Sequence, residues 1–151
     1  MPMLQELCAG EGITLQDLDA VAVCTGPGNF TGIRISVSAA RGMALGLGKP
    51  AVGVSAFEAQ VHDMPRPVTA CIPAPRGTAY QQDFSDDAIG EPRQVEMPDN
   101  GLPMPDAATL IANTARIAAM RLGQDNPAPA PLYVRAADAA PPRDAPPVIL
   151  P

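Results

Sequence analysis

The feature that most constrains the fold is the stretch of residues 20–58, in which a glycine-rich turn joins a short apolar run to a long helical segment. Residues 20–24 are apolar and partly β-branched, a pattern that predicts a buried strand. Gly26 and Gly28 supply the backbone freedom for a sharp turn, and Thr31 can place its hydroxyl on the amides of the helix that it opens. The order strand, glycine turn, helix therefore organises the domain.

The segment from Thr31 to Leu47 predicts a helix that is small or apolar on most sides, with only Arg34 and Arg41 marking a polar flank. One apolar stripe repeats at helical spacing and should cover a sheet; it consists of Ile33, Val37, Ala40, Ala44 and Leu47. The opposite side is small or apolar, and consists of Ile35, Ser38, Ala39, Gly42 and Gly46. A helix that is apolar nearly all round is buried on more than one side. It is therefore either an inner helix of its own domain or a contact surface for another protein.

The chain beyond this helix predicts a second strand and a further helix. Gly48 and Pro50 end the long helix, and residues 51–54 read as another buried strand. Ser55 and Glu58 have the spacing of a capping box, so a helix starts there. Strand, helix, strand, helix implies an α/β domain with parallel strands and a right-handed crossover.

The glycine turn itself has two interpretations. Such a turn gathers unpaired amides at the positive end of a helix and can hold a phosphate or a carboxylate, or it can simply bend the chain. Its spacing fits neither common nucleotide motif, because no Lys follows its last glycine and that glycine comes one residue late for a dinucleotide loop. The candidate phosphate-loop-like residues are Gly26, Pro27, Gly28, Thr31 and Gly32.

Outside residues 20–58, the sequence patterns that predict helices and strands are weaker. A short amphipathic helix is predicted at the start, with Met3, Leu4, Leu7 and Cys8 at helical spacing. Residues 68–72 and 78–84 can pair as a hairpin, and residues 106–122 predict an alanine-rich helix. Pro and Ala alternate from Pro127 onward, a pattern typical of an extended tail.

Three runs of this sequence closely resemble the TsaB (YeaZ) family. They are Thr25-Gly-Pro-Gly-Asn-Phe-Thr-Gly-Ile-Arg-Ile35, Ser38-Ala-Ala-Arg-Gly-Met-Ala-Leu-Gly-Leu-Gly48 and Pro50-Ala-Val-Gly-Val-Ser55. Pro131-Leu-Tyr-Val-Arg135 is similar to the closing motif of the family. The resemblance implies a partial actin-like (ASKHA, RNase H-like) α/β domain with parallel strands and packed helices. It divides the chain into a core of residues 1–84, a linker of residues 85–104, and a C-terminal helix with a Pro-rich tail over residues 105–151.

The resemblance also implies a function. Family members are non-catalytic partner subunits in the bacterial system that makes threonylcarbamoyladenosine at position 37 of tRNA. Their first helix and their long helix pack against a catalytic TsaD-like subunit, which here places Leu4, Leu7, Ser38, Gly42 and Leu45 at the interface. A TsaE-like ATPase and a homodimer through the same helices are the further associations that the resemblance implies. The alternative for these residues is an ordinary internal core.

The sequence departs from the family at its start. Family members begin with a strand hairpin that forms the centre of the sheet, whereas this sequence starts in what would be the first helix. Without that hairpin, the strand of residues 20–24 would present an open edge, which favours aggregation. We therefore expect marginal stability, concentration-dependent association or rescue by the partner.

The sequence offers little catalytic chemistry. His62 is the only histidine, so a site with two histidine ligands cannot form, and no spacing supports a Cys-His pair. The metal-binding His-x-x-x-His of the catalytic homologue aligns with Ala56 and Gln60, neither of which binds iron or zinc usefully. We expect no cofactor and no metal. The alternative is a nucleotide-binding enzyme of the actin-like ATPase class.

Composition limits the partners and the compartment. A net charge of −6 with a single Lys offers no basic surface for nucleic acid, so direct binding of tRNA is not expected. No apolar run is long enough for a membrane span, and the first residues do not form a signal peptide. Cys8, Cys24 and Cys71 lie among apolar residues, as reduced thiols of a cytoplasmic protein do.

Overall fold

The computed structural model describes residues 2–134, which form an α/β arrangement of two small sheets and four helices. The elements in chain order are α1 (Pro2–Gly10), a 3₁₀ turn (Leu15–Asp17), β1 (Val21–Cys24), α2 (Phe30–Leu47), β2 (Ala51–Val54), α3 (Ala56–Gln60), β3 (Val68–Ala74), β4 (Thr78–Phe84), β5 (Arg93–Glu96) and α4 (Ala107–Met120). The part of the predicted Pro-rich tail from residue 135 onward, with the last residue of the closing motif, lies outside the described residues.

The predicted pair of parallel strands is confirmed. Strands β1 and β2 pair in parallel, with Val21 opposite Ala51. Helix α2 covers one face of this pair, where Val23 packs in one cluster with Ile33 and its neighbours. Helices α3 and α4 cover the other face, where Val54 packs with Ile117. The crossover helix and the C-terminal helix thus enclose the parallel strands between them.

Helix α2 buries the predicted stripe but begins differently from the prediction. Ile33, Val37, Ala40 and Ala44 are buried, and Leu47 is partly buried. The N-terminal cap is Asn29, not Thr31: the Asn29 side-chain oxygen accepts a hydrogen bond from the Gly32 N–H at 2.8 Å. Asn29 has the extended backbone that a cap requires, whereas Thr31 is already inside the first turn. The prediction that Thr31 caps the helix was therefore wrong.

The two other predicted helix boundaries are confirmed. Gly48 ends α2 in the left-handed conformation with φ of 64°, which favours glycine. Ser55 caps α3, and its hydroxyl accepts from the Glu58 N–H at 3.1 Å. The Glu58 carboxylate in turn accepts from the Ser55 N–H at 2.9 Å, which completes the capping box.

The predicted hairpin forms and is extended by a third strand. Strands β3 and β4 pair antiparallel with Val68 opposite Phe84, and β5 pairs with the free side of β4. Strand β5 lies inside residues 85–104, where the sequence predicted only a linker. Three of its four residues are polar and exposed, and only Val95 is half-buried, so its pattern is that of an edge strand with a weak sequence signature.

Helix α4 packs on the same core as the N-terminal elements. The Asn113 side chain donates a hydrogen bond to the Ala59 carbonyl at 2.9 Å. At the other end of α4, Arg121 donates to the Gly53 carbonyl at 2.8 Å and forms an ion pair with Glu58. The helix of the predicted C-terminal part therefore completes the core of residues 1–84.

Two observations bear on the surface of the fold. Within residues 2–134, β1 pairs only with β2, so its second edge carries no strand there. The association expected at that edge stays a prediction. Among the described helices, none combines the length and the apolar character needed to cross a bilayer.

Candidate functional site

The candidate site is the outward side of α2, which we call the outer face. It consists of Ile35, Ser38, Ala39, Gly42, Leu45 and Gly46, all of which are exposed. Ile35 is 64% exposed and Leu45 is 85% exposed, although both are large apolar side chains. A Cβ atom added at Gly42 would meet nothing within 4 Å. Within the described residues, this chain therefore leaves its own outer face uncovered.

The shape of the outer face suits a second helix. Ile35 and Leu45 lie ten residues apart, about 15 Å along the axis, and the outer-face residues between them, Ser38, Ala39 and Gly42, are small. The absence of side-chain bulk at Gly42 lets another backbone come close. Moving either large side chain out of water would stabilise a complex by about 1.5–3 kcal/mol.

The two predicted interface residues on α1 are less well placed. Helix α1 has no buried residue; Leu7 is 62% exposed and Leu4 is half-buried. The helix packs mainly against the 3₁₀ turn that follows it and is not closely packed on α2. The five residues predicted for the interface thus lie on two separately placed helices, and their assignment stays a prediction.

An aromatic cluster beside the outer face was missed from the sequence. The rings of Phe30 and Tyr133 stack with centroids 5.2 Å apart, and the guanidinium carbon of Arg34 lies 5.2 Å from the Phe30 centroid. The Leu132 N–H donates to the Thr25 carbonyl at 2.8 Å, which brings the end of the described chain to the start of α2. No local pattern could connect positions this far apart in sequence; the only signal was the resemblance of the closing motif.

The backbone conformation and the close packing of the glycine turn explain why it requires glycine at residue 26. Gly26 has φ of 96°, and a Cβ there would lie 2.6 Å from Cδ1 of Ile33. Its carbonyl accepts a hydrogen bond from the Ala56 N–H at 2.7 Å, which ties the turn to α3. Pro27 is buried, whereas Gly28, Thr31 and Gly32 are exposed. The turn therefore joins β1, α2 and α3 whether or not it has a ligand.

We expect no saturable binding of ATP to this turn, because the Asn29 side chain already accepts from the Gly32 N–H that a phosphate would need. Isothermal titration calorimetry with magnesium-ATP tests this. Micromolar binding that is lost in Gly28→Ala would support the nucleotide-binding alternative.

The side chains considered for catalysis are not grouped in one site, and some are hydrogen-bonded to the backbone. His62 is half-buried, 3.4 Å from the carboxylate of the exposed Asp63. Burial raises the pKa of the Cys24 thiol, which is the opposite of what a reactive thiolate requires. Ala56 is buried, and the Gln60 side chain is hydrogen-bonded to the backbone of β3. Over residues 2–134, no three His, Cys, Asp or Glu side chains are grouped as metal ligands would be.

Comparison with known proteins relates the chain to tRNA-modification proteins. The family model of TsaD, tRNA N6-adenosine threonylcarbamoyltransferase, matches residues 1–91. The tRNA threonylcarbamoyladenosine biosynthesis protein TsaB of Escherichia coli (strain K12) is 36% identical over 95 residues, which are 60% of this chain and 41% of that protein. The tRNA N6-adenosine threonylcarbamoyltransferase of Jannaschia sp. (strain CCS1) is 51% identical over 53 residues, 35% of this chain and 15% of that protein. The chain spans less than half the length of these curated relatives.

Solved structures resemble the fold over most of the described chain. The structure of YeaZ from Pseudomonas aeruginosa has a TM-score of 0.62 at 21% identity, and covers 87% of this chain and 81% of its own. A crystal structure from the same organism, of an uncharacterized protein with similarity to peptidase YEAZ, has a TM-score of 0.66 at 21% identity and covers 89% and 82%. The chain therefore belongs to the TsaB (YeaZ) family and has an α/β fold of the actin-like type.

Proposed function

We propose that this protein is a non-catalytic interaction subunit that supports threonylcarbamoyl transfer to adenosine 37 of tRNA, in the cytoplasm, while the transfer itself takes place on a TsaD-like partner. The observation that carries the proposal is the uncovered outer face of α2. The curated relatives, named for threonylcarbamoyladenosine biosynthesis and for threonylcarbamoyl transfer, supply the reaction. Association with a TsaE-like ATPase rests on the family resemblance alone.

The exposed apolar groups support a partner at this face. Two large exposed aliphatic side chains flank a stripe of small residues on a long helix, and the other side of that helix packs against β1 and β2. Clustered exposed apolar surface of this kind is typical of protein contacts. The side chain of Leu45, the more exposed of the two, would gain most from a docked helix.

The residues at the two aligned metal-ligand positions support a non-catalytic role. The Ala56 side chain has no atom that can bind a metal ion. The Gln60 amide is taken up by hydrogen bonds to Cys71 on β3 and to the carbonyls of residues 102 and 103. His62, the one histidine of the sequence, has no second histidine to form a ligand pair with.

Gly42→Leu is expected to abolish capture of the TsaD-like partner encoded in the same genome, with a loss of at least about tenfold in affinity. The new side chain would stand where the partner backbone approaches. The substitution should not unfold the protein, because Gly in the middle of an exposed helix is less favourable than Leu by about 0.8 kcal/mol. A pull-down with purified proteins and a thermal melt of the variant measure both effects.

Ala115→Leu is the matched control, since Ala115 is exposed on α4, a helix that packs against the other face of the parallel strands. It should bind like the wild type. Undiminished capture of the partner by Gly42→Leu would rule out the outer face as the docking surface. Threonylcarbamoyl transfer by this chain in the absence of the partner would contradict the non-catalytic role.

A further inference from the structure

Two arginines border the outer face along one flank of α2. Arg34 and Arg41 are seven residues apart, so they lie on the same side of the helix about 10 Å from each other. Both are exposed. Within residues 2–134, neither takes part in an ion pair with a carboxylate. We call this pair the arginine flank.

Contacts within the chain hold the arginine flank in place. The Arg34 guanidinium lies over the Phe30 ring, and Phe30 in turn stacks on Tyr133. One guanidinium nitrogen of Arg41 lies 3.5 Å from the Pro129 carbonyl. Side chains that are already oriented lose less conformational entropy when they meet a carboxylate. The two arginines are thus oriented to bind anionic groups beside the outer face.

We propose that the arginine flank selects the partner of the outer face: a helix whose matching edge carries Asp or Glu residues about one heptad apart, in preference to a second copy of this chain. The inference rests on the proposed function and adds the chemistry of the partner. Opposite charges beside an apolar seam set partner choice in helix pairs.

A second copy fits the outer face by shape but not by charge. In an antiparallel pair of α2 helices with the two-fold axis near Ser38, Ile35 would face Gly42 of the second copy. The same axis brings like flanks together, so Arg34 would face Arg41 of the second copy, and this contact would occur twice. Helix α2 contains no Asp or Glu that could offset the repulsion. A homodimer through this face is therefore disfavoured.

The first experiment needs no partner protein. Sedimentation equilibrium compares the wild type with Arg34→Glu, Arg41→Glu and the double variant. Each single reversal turns both arginine contacts of the antiparallel pair into Arg–Glu contacts and should tighten self-association by about tenfold. The double variant should return to the weak association of the wild type, because Glu then faces Glu. Equal association of all four proteins would overturn the inference, as would a tight wild-type dimer that Gly42→Leu dissociates.

The second experiment uses the purified TsaD-like protein from the same genome. Calorimetric affinity should fall by about tenfold for each Arg→Glu change, and the wild-type affinity should decrease with salt more steeply than that of the double variant. Arg76→Glu, in the exposed β3–β4 turn, is the control and should bind normally.

The outcomes distinguish failure of the role proposed for the arginine flank from failure of the proposed function. Loss of binding in Gly42→Leu with normal, salt-insensitive binding of the arginine variants would overturn the inference and leave the proposed function intact. Failure of the wild type to bind the partner would overturn the proposed function, and the sedimentation experiment would still decide whether the flank acts against self-pairing. Binding of tRNA by the wild type that the double variant loses would assign the flank to nucleic acid and overturn the inference.

Discussion

Gln60→Met should lower the free energy of unfolding by about 3–5 kcal/mol, although the two side chains are similar in volume. Gln60 is 4% exposed. Its side-chain oxygen accepts from the Cys71 N–H at 2.7 Å, and its amide nitrogen donates to the Cys71 carbonyl at 2.9 Å. The same nitrogen lies 3.1 Å from the Leu102 carbonyl and 3.2 Å from the Pro103 carbonyl.

The size of the effect follows from the place of β3 in its sheet. Strand β3 lies at the edge of the order β3-β4-β5, so the N–H and carbonyl of Cys71 that point away from β4 have no neighbouring strand. The Gln60 carboxamide pairs with both groups as a backbone peptide would. Met leaves these buried groups unpaired, at a cost of about 1–3 kcal/mol for each unsatisfied group.

Urea unfolding of the variant and the wild type measures the difference. Gln124→Met is the matched control, because Gln124 is exposed and its side chain donates only to the Met120 carbonyl of the preceding turn. Its effect should stay within about 0.5 kcal/mol. If Gln60→Met cost no more than the control, the amide would not be a structural link between α3 and β3.

The role of Gln60 shows where sequence reasoning reached its limit. The family resemblance aligned it with a metal-ligand position of the catalytic homologue, and its residue type then excluded a ligand there. Its structural contacts are with Cys71 and Leu102, which are 11 and 42 residues away. No pattern of neighbouring residues specifies such a contact, since it exists only once α3, β3 and the loop of residues 102–103 have come together.

Elements that depend on residues close together in sequence were predictable. The inward stripe of α2, the Gly48 cap and the Ser55–Glu58 capping box all depend on residues within a few positions of one another. The β3–β4 hairpin was also found, because two strand-like runs lie on either side of the short turn of residues 75–77. Strand β5 was not found, because it takes its place from pairing with β4 and buries little of its own.

The candidate site was half predictable for the same reason. The sequence showed that α2 is small or apolar nearly all round, but an inner helix and a docking helix share that pattern. Which of them applies depends on what else packs nearby, and in residues 2–134 nothing covers Gly42. The contribution of Tyr133 to the border of that face required the chain to return from its far end.

Gly26→Ala is expected to lower the free energy of unfolding by about 2–4 kcal/mol, from positive-φ strain and overpacking together. Residues that carry a side chain rarely adopt the φ of 96° found at Gly26. The new methyl group would also lie 2.6 Å from Cδ1 and 3.3 Å from Cγ1 of Ile33, which is itself buried against β1. Ile33 would have to move, and with it the first turn of the helix that carries the outer face. Chemical denaturation gives the stability change.

Gly28→Ala separates a structural role of the turn from a ligand role. A Cβ at Gly28 would make an ordinary contact of 3.7 Å with Cδ1 of Ile33, and the residue does not have positive φ. We expect a change within about 1 kcal/mol, because neither strain nor overpacking arises there. A turn that holds a phosphate needs close approach of the ligand at both glycines, so Gly28→Ala would then lose ligand binding at nearly unchanged stability. Unequal stability with no ligand effect in either variant is what a turn that orients α2 for a partner predicts.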